Sequence, residues 1–96
     1  MLVVVSYDVM TSGDGGKRRL RRVAKACLNY GQRVQNSVFE CDLGPDKWVQ
    51  LRSQLISLIN DEEDSLRFYF LGANGKNKLE HIGTKKILDL EEPMII

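Results

Sequence analysis

Apolar positions change their period along the chain, and each change marks an element. Leu2-Val3-Val4-Val5 opens a short β-branched run reaching Val9, which predicts a strand buried on both faces. From Lys17 to Tyr30 the apolar residues are Leu20, Val23, Ala24, Cys27 and Leu28, the spacing of an amphipathic helix, and Gly31 supplies its C-terminal stop. Residues Arg33 to Leu43 alternate instead, with Val34, Asn36, Val38 and Glu40 on one face and Gln35, Ser37, Phe39 and Cys41 on the other. The polar trio Gln35-Asn36-Ser37 predicts a bend that divides this stretch into two strands. Gly44-Pro45-Asp46 ends it, and Pro45 suits the first turn of a second helix. That helix carries Trp48, Leu51, Leu55, Leu58 and Ile59 on one stripe and ends near Asn60. After the acidic turn Asp61-Glu62-Glu63-Asp64, the stretch Ser65 to Leu71 returns to strand, with Leu66, Phe68 and Phe70 alternating against Arg67 and Tyr69. Gly72 to Lys78 reads as a turn, and Leu79 to Ile82 as a short extra strand.

The order strand–helix–two strands–helix–strand predicts an α+β sandwich of the ferredoxin-like βαββαβ kind, with a short extra C-terminal strand. Its two helices lie on one face of a sheet, so the other face needs a cover, which favours a two-fold dimer. A chain of 96 residues is one small domain with a limited core, and pairing with a second copy adds buried surface. The domain is expected over residues 1–83. Residues 84–96, Thr84 to Ile96, form a tail rich in Ile and Leu that is expected to dock on a partner subunit. No apolar run approaches the roughly 20 residues a bilayer requires, and Met1-Leu2-Val3-Val4-Val5 lacks a basic leader, so no membrane or signal segment is expected. Cys27 and Cys41 are the two cysteines; they read as buried free thiols of a cytoplasmic protein.

The net charge of +1 conceals a polarised chain: residues 1–35 carry +5 and residues 36–96 carry −4. One surface should therefore attract polyanions, and another should suit a basic protein partner. The cations concentrate in Lys17, Arg18, Arg19, Arg21 and Arg22, at the start of the first helix, where the helix dipole disfavours positive charge. Solvation of a helix face is one explanation and phosphate contact the other; the unfavourable placement argues for phosphate. Arg33 and the stackable Phe39 extend that surface if Phe39 is not core. Asp8 ends the first strand and is either a loop-capping carboxylate or a ligand to a hard cation such as Mg²⁺, which is commonly held by one or two carboxylates plus waters and phosphates. With no obvious second strand-end carboxylate nearby, a two-fold dimer would bring a second Asp8 to the site; Asp14, in the glycine-rich loop, is a weaker candidate. Tyr7 points to the opposite sheet face from Asp8 and reads as packing. That loop is no mononucleotide P-loop, because Thr11 stands where the first glycine belongs and Arg18 follows Lys17 where Ser or Thr is required. His81, the lone histidine, has no Ser, Cys or second His companion at a useful position, which argues against Ser-His or Cys-His catalysis and a zinc site.

In Val4-Val5-Ser6-Tyr7-Asp8-Val9, in the basic helix Arg18 to Lys25, and above all in Tyr30-Gly31-Gln32-Arg33-Val34-Gln35-Asn36-Ser37-Val38-Phe39-Glu40-Cys41, the chain resembles the CRISPR-associated protein two family. Ser65-Leu66-Arg67-Phe68-Tyr69 extends the match, which covers nearly all of residues 1–83 and is similar to members accompanying type I-C systems. The resemblance implies a ferredoxin-like two-fold dimer, with Asp8 as the metal-binding aspartate paired across the axis. It implies Mg²⁺-dependent endonuclease activity on single-stranded RNA or double-stranded DNA, and nucleic-acid contacts at Arg18, Arg19 and Arg33. It also implies a scaffold role in spacer acquisition, bridging the CRISPR-associated integrase and holding duplex DNA. A metal-dependent nuclease and a non-catalytic scaffold are thus both expected readings, and compatible ones. A plain RNA-binding domain ranks below them, since the sheet lacks the Gly-aromatic-Val-aromatic run such modules use. The roles of Ser37 and Phe39, and the choice between RNA and DNA, stay open at this point.

Overall fold

A computed structural model describes residues 1–72 and 77–84. Its elements are β1 (Leu2–Asp8), α1 (Gly16–Leu28), β2 (Gln32–Gln35), β3 (Val38–Asp42), α2 (Pro45–Leu58), β4 (Ser65–Leu71) and β5 (Lys78–Gly83). The strands form one antiparallel sheet in the order β2-β3-β1-β4-β5. This is the expected ferredoxin-like arrangement, with β5 added beside β4. The expected extra strand is longer than Leu79–Ile82 by one residue at each end. The expected tail, apart from Thr84, lies outside the described residues.

Register explains which residues reach the core. On the central ladders Val3 faces Cys41 and Phe70, and Val5 faces Phe39 and Phe68, so these side chains share one side of the sheet. The helices cover that side, contributing Val23, Ala26 and Cys27 from α1 and Trp48, Leu51 and Leu55 from α2 to the same buried cluster. Trp48 anchors α2 by standing edge-on to Phe68 and Phe70, with ring centroids 4.9 and 5.2 Å away. The opposite side of β1 carries Leu2, Val4 and Ser6, all half-buried, and ends at the exposed Asp8. Among the described residues the β-branched run is therefore covered by helices on one face and not on both, because both helices choose the same side. Among the described residues no helix is long and apolar enough to cross a membrane.

The helix ends differ slightly from the expected ones. α1 stops at Leu28, which is exposed, while Ala26 takes a buried place outside the expected stripe. Gly31 is needed for close approach: a Cβ there would collide with Cys41 Sγ and the Glu40 carbonyl oxygen of β3. α2 begins at Pro45 as expected, with Asp46 in its first turn, where the helix dipole favours an acid.

Cys27 and Cys41 are buried free thiols. Burial, reinforced by neighbouring Cys41, pushes the Cys27 thiol up to about 12, and burial also raises Cys41. Both should resist an aromatic disulfide reagent at pH 8 in the folded protein and react fully once urea unfolds it. Rapid stoichiometric labelling of the native chain would contradict this packing.

Candidate functional site

β1 ends at Asp8, and the pleat turns that carboxylate away from the helices while Tyr7 and Val9, on either side of it, are buried in the core. Ser6 faces Arg67 across the β1–β4 ladder and Asp8 faces Ser65, so Asp8 and Arg67 are diagonal neighbours on the uncovered side of the sheet. On the other flank the Tyr7 N–H donates to the Ser37 carbonyl oxygen at 3.1 Å, which holds the β2–β3 turn against β1. Together Ser6, Tyr7, Asp8, Ser37, Ser65 and Arg67 line an open cleft of about 420 Å³. Its lining residues include one carboxylate, one guanidinium and three serines, of which Ser65 is itself buried. That lining suits an anionic substrate approached through a hard cation. Among the described residues no three His, Cys, Asp or Glu side chains converge on a metal position.

The loop after Asp8 leads into α1, whose outer surface is cationic. Lys17, Arg18, Arg21, Arg22 and Lys25 are all exposed, and the spacing of 18, 21, 22 and 25 makes them one stripe. No acid stands in the first turn of α1. The stripe lies on the helix-covered side of the sheet, whereas the cleft opens on the other. The two features meet at one end of the sheet, where the 9–15 loop joins them.

Arg19 differs from its neighbours. It falls at i−4 from Val23, on the inner side of α1, and its guanidinium is taken up within the chain. Nε donates to Asp64 Oδ2 at 2.8 Å; one terminal nitrogen reaches Glu63 Oε2 at 3.0 Å and Asp64 Oδ1 at 3.3 Å. Asp64, the last residue of the acidic turn, is fully buried. Its oxygens also accept the backbone N–H of Met10 at 3.0 Å and of Asn60 at 2.8 Å. Burial alone would raise the Asp64 pKa, but Arg19 and the two amides outweigh it and hold the carboxyl below its ordinary range.

At the far edge, Arg33 of β2 sets its guanidinium carbon 5.2 Å from the centre of the Phe39 ring. Phe39 is fully buried and stacks on Tyr7 at 6.1 Å. The Tyr7 hydroxyl donates to the Asn36 carbonyl oxygen at 3.3 Å, and burial, with Cys27 nearby, raises its pKa.

Comparison with known proteins decides the family. The family model "CRISPR associated protein Cas2" matches residues 1–79. The chain belongs to the Cas2 family. It is 60% identical over 95 residues to "CRISPR-associated endonuclease Cas2" of Halalkalibacterium halodurans, covering 99% of both chains. It is 56% identical over 96 residues to "CRISPR-associated endoribonuclease Cas2" of Nitratidesulfovibrio vulgaris, covering 100% of this chain and 94% of that one. The crystal structure of Streptococcus pyogenes Cas2 at pH 6.5 superposes with a TM-score of 0.70 at 53% identity, covering 77% of this chain and 89% of the other.

Within this Cas2-family chain the expected site residues separate into groups. Asp8 stands exposed in the cleft. Lys17, Arg18, Arg21 and Arg22 stand together on α1, and Asp14 is exposed in the loop before it. Arg33 is remote from that stripe in sequence and lies on an edge strand. Phe39 is core and presents no open ring face, and Arg19 faces Asp64 and Glu63 instead of solvent. Ser6, Ser65 and Arg67 were not singled out from the sequence, because their convergence on Asp8 needs the β1–β4 register. His81 lies opposite Arg67 on β5, and burial, then the Arg67 charge, lowers its pKa.

The Asp64 cluster has a measurable signature. Asp64→Ala should destabilise the protein by about 3 kcal/mol, since it strands a guanidinium and two amides. Arg18→Ala should leave stability nearly unchanged. Because the Asp64 pKa is lowered on folding, its stabilisation is complete above about pH 4 and fades as pH falls through the native value. The stability gap between wild type and Asp64→Asn, measured by urea unfolding, should therefore narrow below about pH 4; a constant gap would refute the assignment.

Proposed function

We propose that this chain is a Mg²⁺-dependent phosphodiester endonuclease of CRISPR adaptation that works as a homodimer on double-stranded DNA or single-stranded RNA. The observation that carries this reading is the placement of Asp8: exposed at a strand end, in an open cleft with Arg67 and three serines, at the end of the sheet where the 9–15 loop leads into the cationic helix. The relatives from Halalkalibacterium halodurans and Nitratidesulfovibrio vulgaris, named endonuclease and endoribonuclease, support it.

The donor set fits Mg²⁺ in a limited way. One carboxylate among hydroxyl groups suits a cation that keeps most of its water and takes further oxygens from phosphate. A second Asp8, from a partner subunit, would complete the protein's share. The sheet face away from the helices, which carries Leu2, Val4 and Tyr69, half-buried among the described residues, is the surface on which that partner would sit. When bound, Mg²⁺ supplies polarisation of the scissile phosphate and acidifies a water ligand. The chain's own residues hold and orient: Asp8 holds the cation, Arg67 offsets phosphate charge in the cleft, and Lys17, Arg18, Arg21 and Arg22 keep the polyanion in place without reading its sequence.

One observation favours a second, compatible reading. The cationic stripe and the cleft open on opposite sides of the sheet, so α1 can hold a duplex that never enters the cleft. In that role the dimer is a scaffold bridging the CRISPR-associated integrase and the DNA to be inserted.

Asp8→Asn should abolish Mg²⁺-dependent cleavage of both substrates, and EDTA should abolish it in wild type. Equal residual cleavage by both proteins would reveal a contaminant and remove the nuclease reading. Arg18→Ala with Arg21→Ala should retain wild-type stability to about 0.5 kcal/mol. The same variant should bind duplex DNA more weakly, with the slope of log affinity against log salt shallower by about two. An unchanged slope would take α1 out of the nucleic-acid surface.

A further inference from the structure

The Arg19 guanidinium ties down both ends of the loop that leaves Asp8. Besides Asp64 and Glu63 it donates to the Met10 carbonyl oxygen at 3.4 Å and to the Asp14 carbonyl oxygen at 3.2 Å. Asp64 holds the same loop from below through the Met10 N–H at 3.0 Å. Met10 is thus fixed by both its amide and its carbonyl, two residues after Asp8. The loop is shaped for this embrace. Gly15 adopts φ 77°, which favours glycine, and a Cβ on Gly16 would collide with the Met10 carbonyl. Asp64 is equally fixed from its own side. It accepts the Asn60 N–H at 2.8 Å, its carbonyl oxygen accepts the Thr84 N–H at 3.1 Å, and Gly83, at φ 114°, packs against it.

We propose that the Asp64–Arg19 pair is a positioning device for the Asp8 site: it fixes the backbone just after Asp8 and joins that strand end to the first turns of the cationic helix. This rests on the reading of Asp8 as the cation-holding residue. A carboxylate acting with few other protein ligands has little redundancy, so the angle at which β1 ends determines how well it meets a cation. Groups that orient a metal ligand from outside typically matter ten- to a hundred-fold when removed. Arg19 therefore acts through Met10 and Asp64, not by touching the nucleic acid.

The test compares wild type, Asp8→Asn, Arg19→Lys, Asp64→Asn and, as a control for lost stability alone, Glu80→Gln. Glu80 pairs with Arg52 at 2.7 Å on the helix-covered side of the sheet, away from the cleft. All measurements are made well below each variant's unfolding temperature. The first readout is the Mn²⁺-induced broadening of the Val9 and Met10 amide resonances, with the Met10 amide's hydrogen exchange; the second is the Mg²⁺ concentration for half-maximal cleavage. Arg19→Lys keeps the charge and loses the fork, so it should raise the Mg²⁺ requirement about ten-fold or more, weaken the Mn²⁺ broadening and speed Met10 exchange. Glu80→Gln should do none of these. Wild-type metal response in both Arg19→Lys and Asp64→Asn would overturn the positioning role while leaving the Asp8 reading intact. Absence of Mn²⁺ broadening near Asp8 in wild type, or its persistence in Asp8→Asn, would instead overturn the Asp8 reading and the positioning role with it.

Discussion

The buried carboxylate of Asp64 is the constraint on which the working end of this molecule depends. A fully buried charge is tolerated only when it is paired and hydrogen-bonded, and Asp64 meets that condition with one guanidinium and two backbone amides. Each partner comes from a different part of the chain: Arg19 from the start of α1, Met10 from the loop after β1, and Asn60 from the turn after α2. Satisfying one charge therefore brings three connections to a single point. The apolar core stacks helices on a sheet and takes in Val9 just after β1, and the polar cluster then fixes Met10 beside it.

This division between core and end accounts for the layout of the functional surfaces. The core takes Val3, Val5 and Tyr7 from β1, and the pleat alone then turns Ser6 and Asp8 to the other side. The cleft and the cationic helix consequently occupy opposite sides of one sheet. In the proposed reading the two sides take different tasks, one to meet a second copy and the other to carry the polyanion. The Cas2-family match and the ferredoxin-like topology cover the strands and helices that set these two sides apart.

The sequence by itself determined the elements, and for a local reason. Helix and strand periods, Pro45 at a helix start and the polar bend at Asn36-Ser37 are written in neighbouring residues, so β4 emerges at Ser65–Leu71 as expected and α2 begins where Pro45 places it. Asp8 was legible too, because a lone acid at the end of a β-branched run stands out without any register. The cationic face of α1 was legible from its spacing, whereas Arg19, expected among the nucleic-acid contacts, is taken up by Asp64 and Glu63.

Only the tertiary structure decided what those charges do. Arg19 and Arg18 are the same residue type one position apart, yet a turn of about 100° per residue sends one to Asp64 and the other to solvent. Asp64 sits among three other acids in a turn, and nothing local marks it as the one that is buried. Asn60 is close in sequence, but Arg19 and Met10 lie 45 and 54 residues away. The same holds for Arg67 and Ser65, which meet Asp8 through strand register, and for Phe39, whose burial depends on Arg33, Tyr7 and the helices above it. Periodicity reports which side of an element is apolar; the pairing of charges across the fold is a long-range property that no window of sequence contains.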